Sequence, residues 1–308
     1  MIAKQLLLVI LVSILSLTQA MAIDIVNAEW LQKRIGDKSI RIADVADKAE
    51  AYDESHLPGA VQVKRYLDLG DTNAVPPTLF PTRKQFERLM SRLGIDNSTT
   101  VVAYDDKFGL FASRLLVIME YYGHDTKKLK LLDGGIVNWK SLNYPITTDE
   151  PTIAATRYKS GSGNNIRITW SDVYRNAVLG EVPEVFLLDT RPVPEHAAKN
   201  IRSIRGGFIP SAVNLTGTDA NVKETHTFKP VDEIRRMYEA KGVTSDRIIY
   251  TYCHSGDRSA HAYITLKYLL GYKDVKVYDG GWAEWAALVS LPVAGQIWLW
   301  DAPKEEKK

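Results

Sequence analysis

Short apolar runs closed by a polar residue recur along this chain. Longer stretches between them repeat their apolar positions with a helical period. Ile40-Arg41-Ile42-Ala43-Asp44 is matched by Val185-Phe186-Leu187-Leu188-Asp189, and Thr100-Val101-Val102-Ala103-Tyr104 by Arg247-Ile248-Ile249-Tyr250-Thr251-Tyr252. Between the members of each pair lie a Pro-small-Ala-Val segment (Pro58 to Val61, Pro210 to Val213) and a helical stretch (Thr82 to Leu93, Pro230 to Lys241). A further helix ends at Tyr122-Gly123-His124 in one half and at Leu270-Gly271-Tyr272 in the other. Each half closes on Asp-Gly-Gly followed by a tryptophan: Asp133-Gly134-Gly135 with Trp139, and Asp279-Gly280-Gly281 with Trp285.

A repeat of this length indicates two duplicated domains. Strands alternating with helices indicate an α/β fold whose sheets are mainly parallel, with right-handed crossovers. The expected division is a domain over 23–146, a linker over 147–166, a second domain over 167–298 and a polar tail over 299–308. Thr147, Thr148, Pro151, Gly161, Ser162 and Gly163 give the linker its turn-forming composition.

Composition changes this picture only at the edges. With 308 residues, 45% of them hydrophobic, the chain can fill two cores. A net charge of +2 gives no sign of a nucleic-acid or membrane-surface partner, and a monomer is expected. Segment 1–22 differs from the rest: Lys4, the apolar run Leu6 to Leu17, then Ala20-Met21-Ala22. This is the pattern of a secretory signal peptide, too short for a span of ~20 residues, so export to the bacterial periplasm with cleavage after Ala22 is expected.

The chain has one cysteine, Cys253. In an exported protein a lone cysteine is either a small buried hydrophobe or a reactive thiol. Its surroundings favour the second. An apolar strand delivers Cys253 to the carboxyl edge of a parallel sheet, where α/β proteins bind ligands. The loop Cys253-His254-Ser255-Gly256-Asp257-Arg258-Ser259 leads into a helix expected over roughly Ser259 to Leu270. A tight strand-to-helix turn aims N–H groups inward, and the helix N-terminus and Arg258 add positive charge. All three favour thiolate, the reactive form. His254 is expected at the rim, affecting electrostatics only. Ser259 is expected to cap the helix, Ser255 to be a minor donor, and Asp257 to be a loop or helix N-terminal residue. When the halves are registered at the preceding strand, Asp105 of the first falls on Cys253 of the second.

These residues closely resemble the rhodanese family, the two-domain thiosulfate and 3-mercaptopyruvate sulfurtransferases. The resemblance rests on Cys253-x-x-Gly256-x-Arg258-Ser259, Leu188-Asp189-Thr190-Arg191, Glu54-x-His56-Leu57-Pro58-Gly59-Ala60 and both Asp-Gly-Gly endings. It implies two tandem domains, each a mainly parallel five-stranded sheet flanked by helices, the first lacking the nucleophile. It further implies that Cys253 takes sulfane sulfur from thiosulfate or another donor as a persulfide, held by the backbone amides of His254 to Ser259. The sulfur then passes to cyanide, a thiol or a protein acceptor. Neither a metal nor an organic cofactor is implied: the histidines are scattered and there is no cysteine pair.

The sequence departs from the best-known members in two places. Arg258 is the one certain cation of the loop, and Pro210 replaces an arginine found in many two-domain members. Anion binding must then come from elsewhere, and Arg191, Arg202 and Arg205 are candidates; Arg191 is equally well read as structural, paired with Glu195 or another acid. The loop also differs from that of mercaptopyruvate enzymes, which leaves the donor open between the two substrates. A rhodanese-like phosphatase is the remote alternative, disfavoured because only four residues separate Cys253 from Arg258 and a phosphate needs a wider cradle.

Overall fold

A computed structural model describes residues 23–302. The expected export signal over 1–22 lies outside the described residues. No helix among those described is long and apolar enough to cross a membrane.

The first half contains strands β1 (Asp24–Val26), β2 (Ile40–Asp44), β3 (Val61–Gln62), β4 (Thr100–Tyr104) and β5 (Leu129–Leu132). They form one parallel sheet in the order β1-β5-β4-β2-β3. The second half contains β6 (Arg167–Ile168), β7 (Val185–Asp189), β8 (Arg205–Phe208), β9 (Val213–Asn214), β10 (Ile248–Tyr252), β11 (Val275–Tyr278) and β12 (Ala294–Trp298). Five of these repeat the same parallel arrangement, β6-β11-β10-β7-β9. The repeat read from the apolar runs is thus a repeat of topology. The central strands β4 and β10 are nearly continuous apolar runs because helices cover both faces of each sheet.

The copies differ where β8 and β12 form an antiparallel pair that, among the described residues, has no counterpart in the first half. This strand pair was not expected, because Arg205-Gly206-Gly207-Phe208 lacks the alternation of a strand. It also changes the account of the tail: Leu299–Asp301 form a 3-10 turn, the Leu299 N–H bonds the Ile204 carbonyl, and Trp300 stacks on Trp298.

The segment expected as a linker has no regular structure between 151 and 164, yet it is packed. Tyr158 is buried, Ser160 bonds Glu87, Thr156 donates to the Ile95 carbonyl, and Asn97 holds Lys159 at both backbone groups. It runs as a strap over the first domain.

One apolar core is shared by both halves. The mostly apolar helix Leu110–Tyr121 is buried on nearly every side and lies against the helix Asp257–Ile264. The contact is pseudo-symmetric. The Asp279 carboxylate accepts the Phe80 N–H of the first half (2.6 Å), and the Asp133 carboxylate accepts the Phe228 N–H of the second (2.8 Å).

Candidate active site

Strand β10 ends at Tyr252, whose hydroxyl donates to Asp189 at the end of β7 (2.8 Å). Cys253 follows, at the carboxyl edge of the sheet. Its carbonyl accepts the Trp282 N–H (2.7 Å) and that of His254 accepts the Ala283 N–H (3.0 Å). This close approach explains the second glycine of Asp279-Gly280-Gly281. A Cβ on Gly281 would lie 2.6 Å from the Cys253 carbonyl oxygen. Gly135 stands in the same relation to Asp105, at 2.1 Å.

The chain then turns at Gly256, with φ +93°, and the helix begins at Asp257. This is earlier than the expected start at Ser259, because a left-handed glycine already supplies the N-cap. Ser259 is therefore not the cap. It lies buried in the first turn, donating to the Gly256 carbonyl (3.0 Å), with its hydroxyl 3.8 Å from the Cys253 sulfur. The Gly256 N–H points at the Cys253 Sγ at 3.0 Å. The thiol is wholly buried at the bottom of this cup.

Arg258 forms a two-point pair with Glu195 (3.0 and 3.3 Å), which also receives Arg202 (3.1 Å). Burial opposes the charge on Arg258, but nearby Cys253 and Glu195 hold its ionisation above the usual arginine range. Burial also opposes ionisation of Glu195, and the arginines more than compensate. His254 is half-buried, and burial together with the charge of Arg202 lowers it to about 4. It is uncharged at neutral pH, so it adds no cation to the rim.

The expected anion-binding arginines are engaged elsewhere. Arg191 is buried and bonded to Asp189 (2.6 Å) and the Gly207 carbonyl (2.8 Å), with His196 on the same carboxylate; its acid partner is Asp189, not Glu195. Arg205 is buried and donates to the carbonyls of Trp285, Ala286 and Leu288 at the end of the helix Gly281–Ala287, and to Gln296. A helix end leaves such carbonyls without partners, and Arg205 satisfies them. Of the three candidates only Arg202 keeps a half-exposed side chain.

The cations that reach the loop come instead from the first domain. Arg65 pairs with Asp257 (2.6 Å) and Asp47 (2.8 Å) and lies over the Phe111 ring. Arg114 donates to the Ser255 carbonyl (2.7 Å) and to the carbonyls of Leu69 and Thr78. Asp257 is thus a cross-domain contact, and Ser255 Oγ donates to it (3.1 Å). A small cleft between the domains is lined by Arg65, Tyr66, Arg114, Ser255 and Asp257. Arg65 and Arg114 escaped the sequence analysis because they lie far from Cys253 along the chain. The one available signal was Arg114, a charge in the middle of a mostly apolar helix.

The first domain carries a second version of the cup. Asp105, at the place of Cys253, directs its carboxylate inward. Oδ1 accepts the N–H groups of Lys107 and Gly109 (both 2.8 Å), and Oδ2 those of Phe111 (2.8 Å) and Ala112 (3.0 Å). A left-handed glycine, Gly109, again caps the helix. Burial pushes Asp105 up to about 6, against the pull of the four amides. The loop architecture itself is therefore an anion receptor. Among the described residues, no group of three or more His, Cys, Asp or Glu side chains is arranged to hold a metal ion.

Fold and site together define a two-domain α/β protein with one cysteine-bearing anion loop and one loop closed by its own carboxylate. The rhodanese-like domain matches residues 27–142 and again 173–288. The chain belongs to the rhodanese family. It is 34% identical over 281 residues to the sulfur carrier protein TtuD of Thermus thermophilus, covering 88% of this chain and 96% of that one. It is 33% identical over 280 residues to the thiosulfate sulfurtransferase of Corynebacterium glutamicum, covering 87% and 89%. Its fold is shared with the anaerobic ergothioneine biosynthesis enzyme from Chlorobium limicola: TM-score 0.77 at 22% identity, covering 87% of this chain and 69% of that one.

Proposed function

We propose that this protein is a sulfurtransferase that moves sulfane sulfur from thiosulfate to cyanide or a thiol through a persulfide on Cys253. The observation that carries this reading is the Gly256 N–H aimed at the Cys253 sulfur at 3.0 Å, in a loop whose sister copy binds a carboxylate through four such groups. In the first step the thiolate attacks the outer sulfur of thiosulfate. The S–S electron pair leaves with sulfite, and the persulfide anion remains. In the second, cyanide or a thiolate attacks the outer sulfur and the cysteine thiolate is restored. Charge balances in both steps, which is two-step covalent catalysis. The loop amides are available to hold the outer sulfur where Asp105 holds its oxygens in the other domain.

The likeness to a protein named a sulfur carrier supports a second reading, in which the acceptor is another protein. Thiosulfate and 3-mercaptopyruvate remain the two donors to compare, and the export of the chain through segment 1–22 belongs to the same proposal. The deciding experiment is intact-mass spectrometry after incubation with each donor. A gain of one sulfur atom that cyanide removes is the expected result for thiosulfate, and an unchanged mass overturns that donor. Fast loading with slow turnover to cyanide or small thiols would favour the carrier reading over the enzyme reading.

A further inference from the structure

We infer that Arg114, a residue of the domain without a nucleophile, is a positioning residue for Cys253 and acts through a single peptide group. The inference rests on Cys253 as the reacting group of the proposed sulfur transfer. The peptide joins Ser255 to Gly256. Its N–H donates to the Cys253 sulfur at 3.0 Å, and its carbonyl accepts Arg114 Nη1 at 2.7 Å. One planar unit therefore links the guanidinium to the sulfur, and its two hydrogen bonds point to opposite sides. A cation on the carbonyl fixes the plane of that peptide. It also polarises the amide, so that the N–H is a stronger donor to sulfur.

The geometry is built for this contact. Arg114 is almost wholly buried, and its other donors are engaged by the carbonyls of Leu69 (3.0 and 2.9 Å) and Thr78 (2.5 Å). The nearest carboxylate oxygen is that of Asp257, at 3.9 Å. The guanidinium is therefore held chiefly by neutral carbonyls rather than by a tight ion pair, and its charge is directed at the catalytic loop. Gly256 leaves room for it: a Cβ there would lie 1.9 Å from Arg114 Nη1. The helix that carries Arg114 starts at the loop closed by Asp105, so the nucleophile-free cup anchors the scaffold that shapes the working one.

The test compares wild type, Arg114→Lys and Arg114→Met in the full-length protein, with folding checked by circular dichroism. Two quantities are read: the pH profile of Cys253 alkylation by iodoacetamide, and the single-turnover rate of sulfur loading at saturating thiosulfate. The expected result is an alkylation profile displaced to higher pH and loading slowed about tenfold, the rate equivalent of one weakened polar contact. Lysine should restore part of both effects, since it keeps the charge but not the fork. If Arg114→Met does not fold, Arg114→Lys decides. A folded variant with the wild-type alkylation profile and loading rate overturns the inference. If wild type takes no sulfur but alkylation is still displaced in the variant, the donor assignment falls and the role of Arg114 stands.

Discussion

Arg65 and Asp257 meet across the domain boundary, Nη2 to Oδ2 at 2.6 Å, with side chains only 12% and 7% exposed. Asp257 lies in the loop after Cys253 and Arg65 in the other domain, so this pair ties the loop to a surface far away in sequence. Removing one member leaves the other charge buried and short of its partner. Arg65→Met and Asp257→Asn should each destabilise the protein by about 3 kcal/mol, and the double variant by less than the sum. Urea unfolding of the four proteins in a double-mutant cycle checks this. Strict additivity would show that the pair is not coupled.

Cys253→Ser should unfold at the wild-type temperature within a few degrees, because the thiol accepts one backbone N–H that a hydroxyl also accepts. It should take up no sulfur. Intact mass after thiosulfate treatment reads the second outcome and thermal unfolding the first.

Asp105→Ala should be more damaging than substitution of the cysteine. It strips four N–H groups, three of them buried, of their acceptor, and a single unsatisfied buried group costs about 1–3 kcal/mol. Water can enter the vacated space, so a total loss of about 4 kcal/mol is expected from chemical denaturation. Cys253 alkylation should slow as well, because the helix that carries Arg114 begins there.

Gly256→Ala forces an L side chain into a left-handed backbone and a Cβ against a guanidinium pinned by carbonyls. A loss of about 2 kcal/mol and at least tenfold slower sulfur loading are expected, measured by thermal unfolding and single-turnover kinetics.

Asp44 makes stability depend on pH. It occupies the place that Asp189 has in the second domain and bonds Tyr104 as Asp189 bonds Tyr252, but the counterpart of Arg191 is Ala46. Burial without a cation pushes Asp44 up to about 7 from an ordinary value of 3.8. Between these values the folded state binds the proton that the unfolded state has lost. Its contribution to stability is therefore fully present below about pH 4 and declines as pH rises to about 7, at up to about 1.4 kcal/mol per pH unit. Asp44→Asn should flatten that part of the curve. Denaturant midpoints from pH 4 to pH 8 in both proteins make the comparison.

Much of the fold was legible because both signals repeat. Two apolar runs and an Asp-Gly-Gly ending recur in the same order in each half, and a parallel sheet buried on both faces needs such runs. The strands β8 and β12 were not legible: Arg205-Gly206-Gly207-Phe208 is a strand through its pairing with the distant segment Ala294–Trp298, while the Arg205 side chain bonds the end of the helix Gly281–Ala287. The loop around Cys253 could be read locally, since a tight strand-to-helix turn is written in consecutive residues. Of the two readings of Arg191 the structural one matches its pairing with Asp189, and Arg205 is engaged by helix-end carbonyls; sequence gives an arginine's charge but not the acceptors that engage it. Arg65, Arg114 and the pairing of Glu195 with Arg258 depend on how distant segments meet.

The exchange at the boundary is mutual. Asp279 of the second half takes its donor from Phe80, and Asp133 of the first takes its donor from Phe228. A gene encoding the cysteine-bearing half alone would lack Phe80, Arg65 and Arg114 at once. The copy without the cysteine is thereby more than a relic: each half holds bonds the other needs, so deleting either would strip polar groups in the one that remains of their partners.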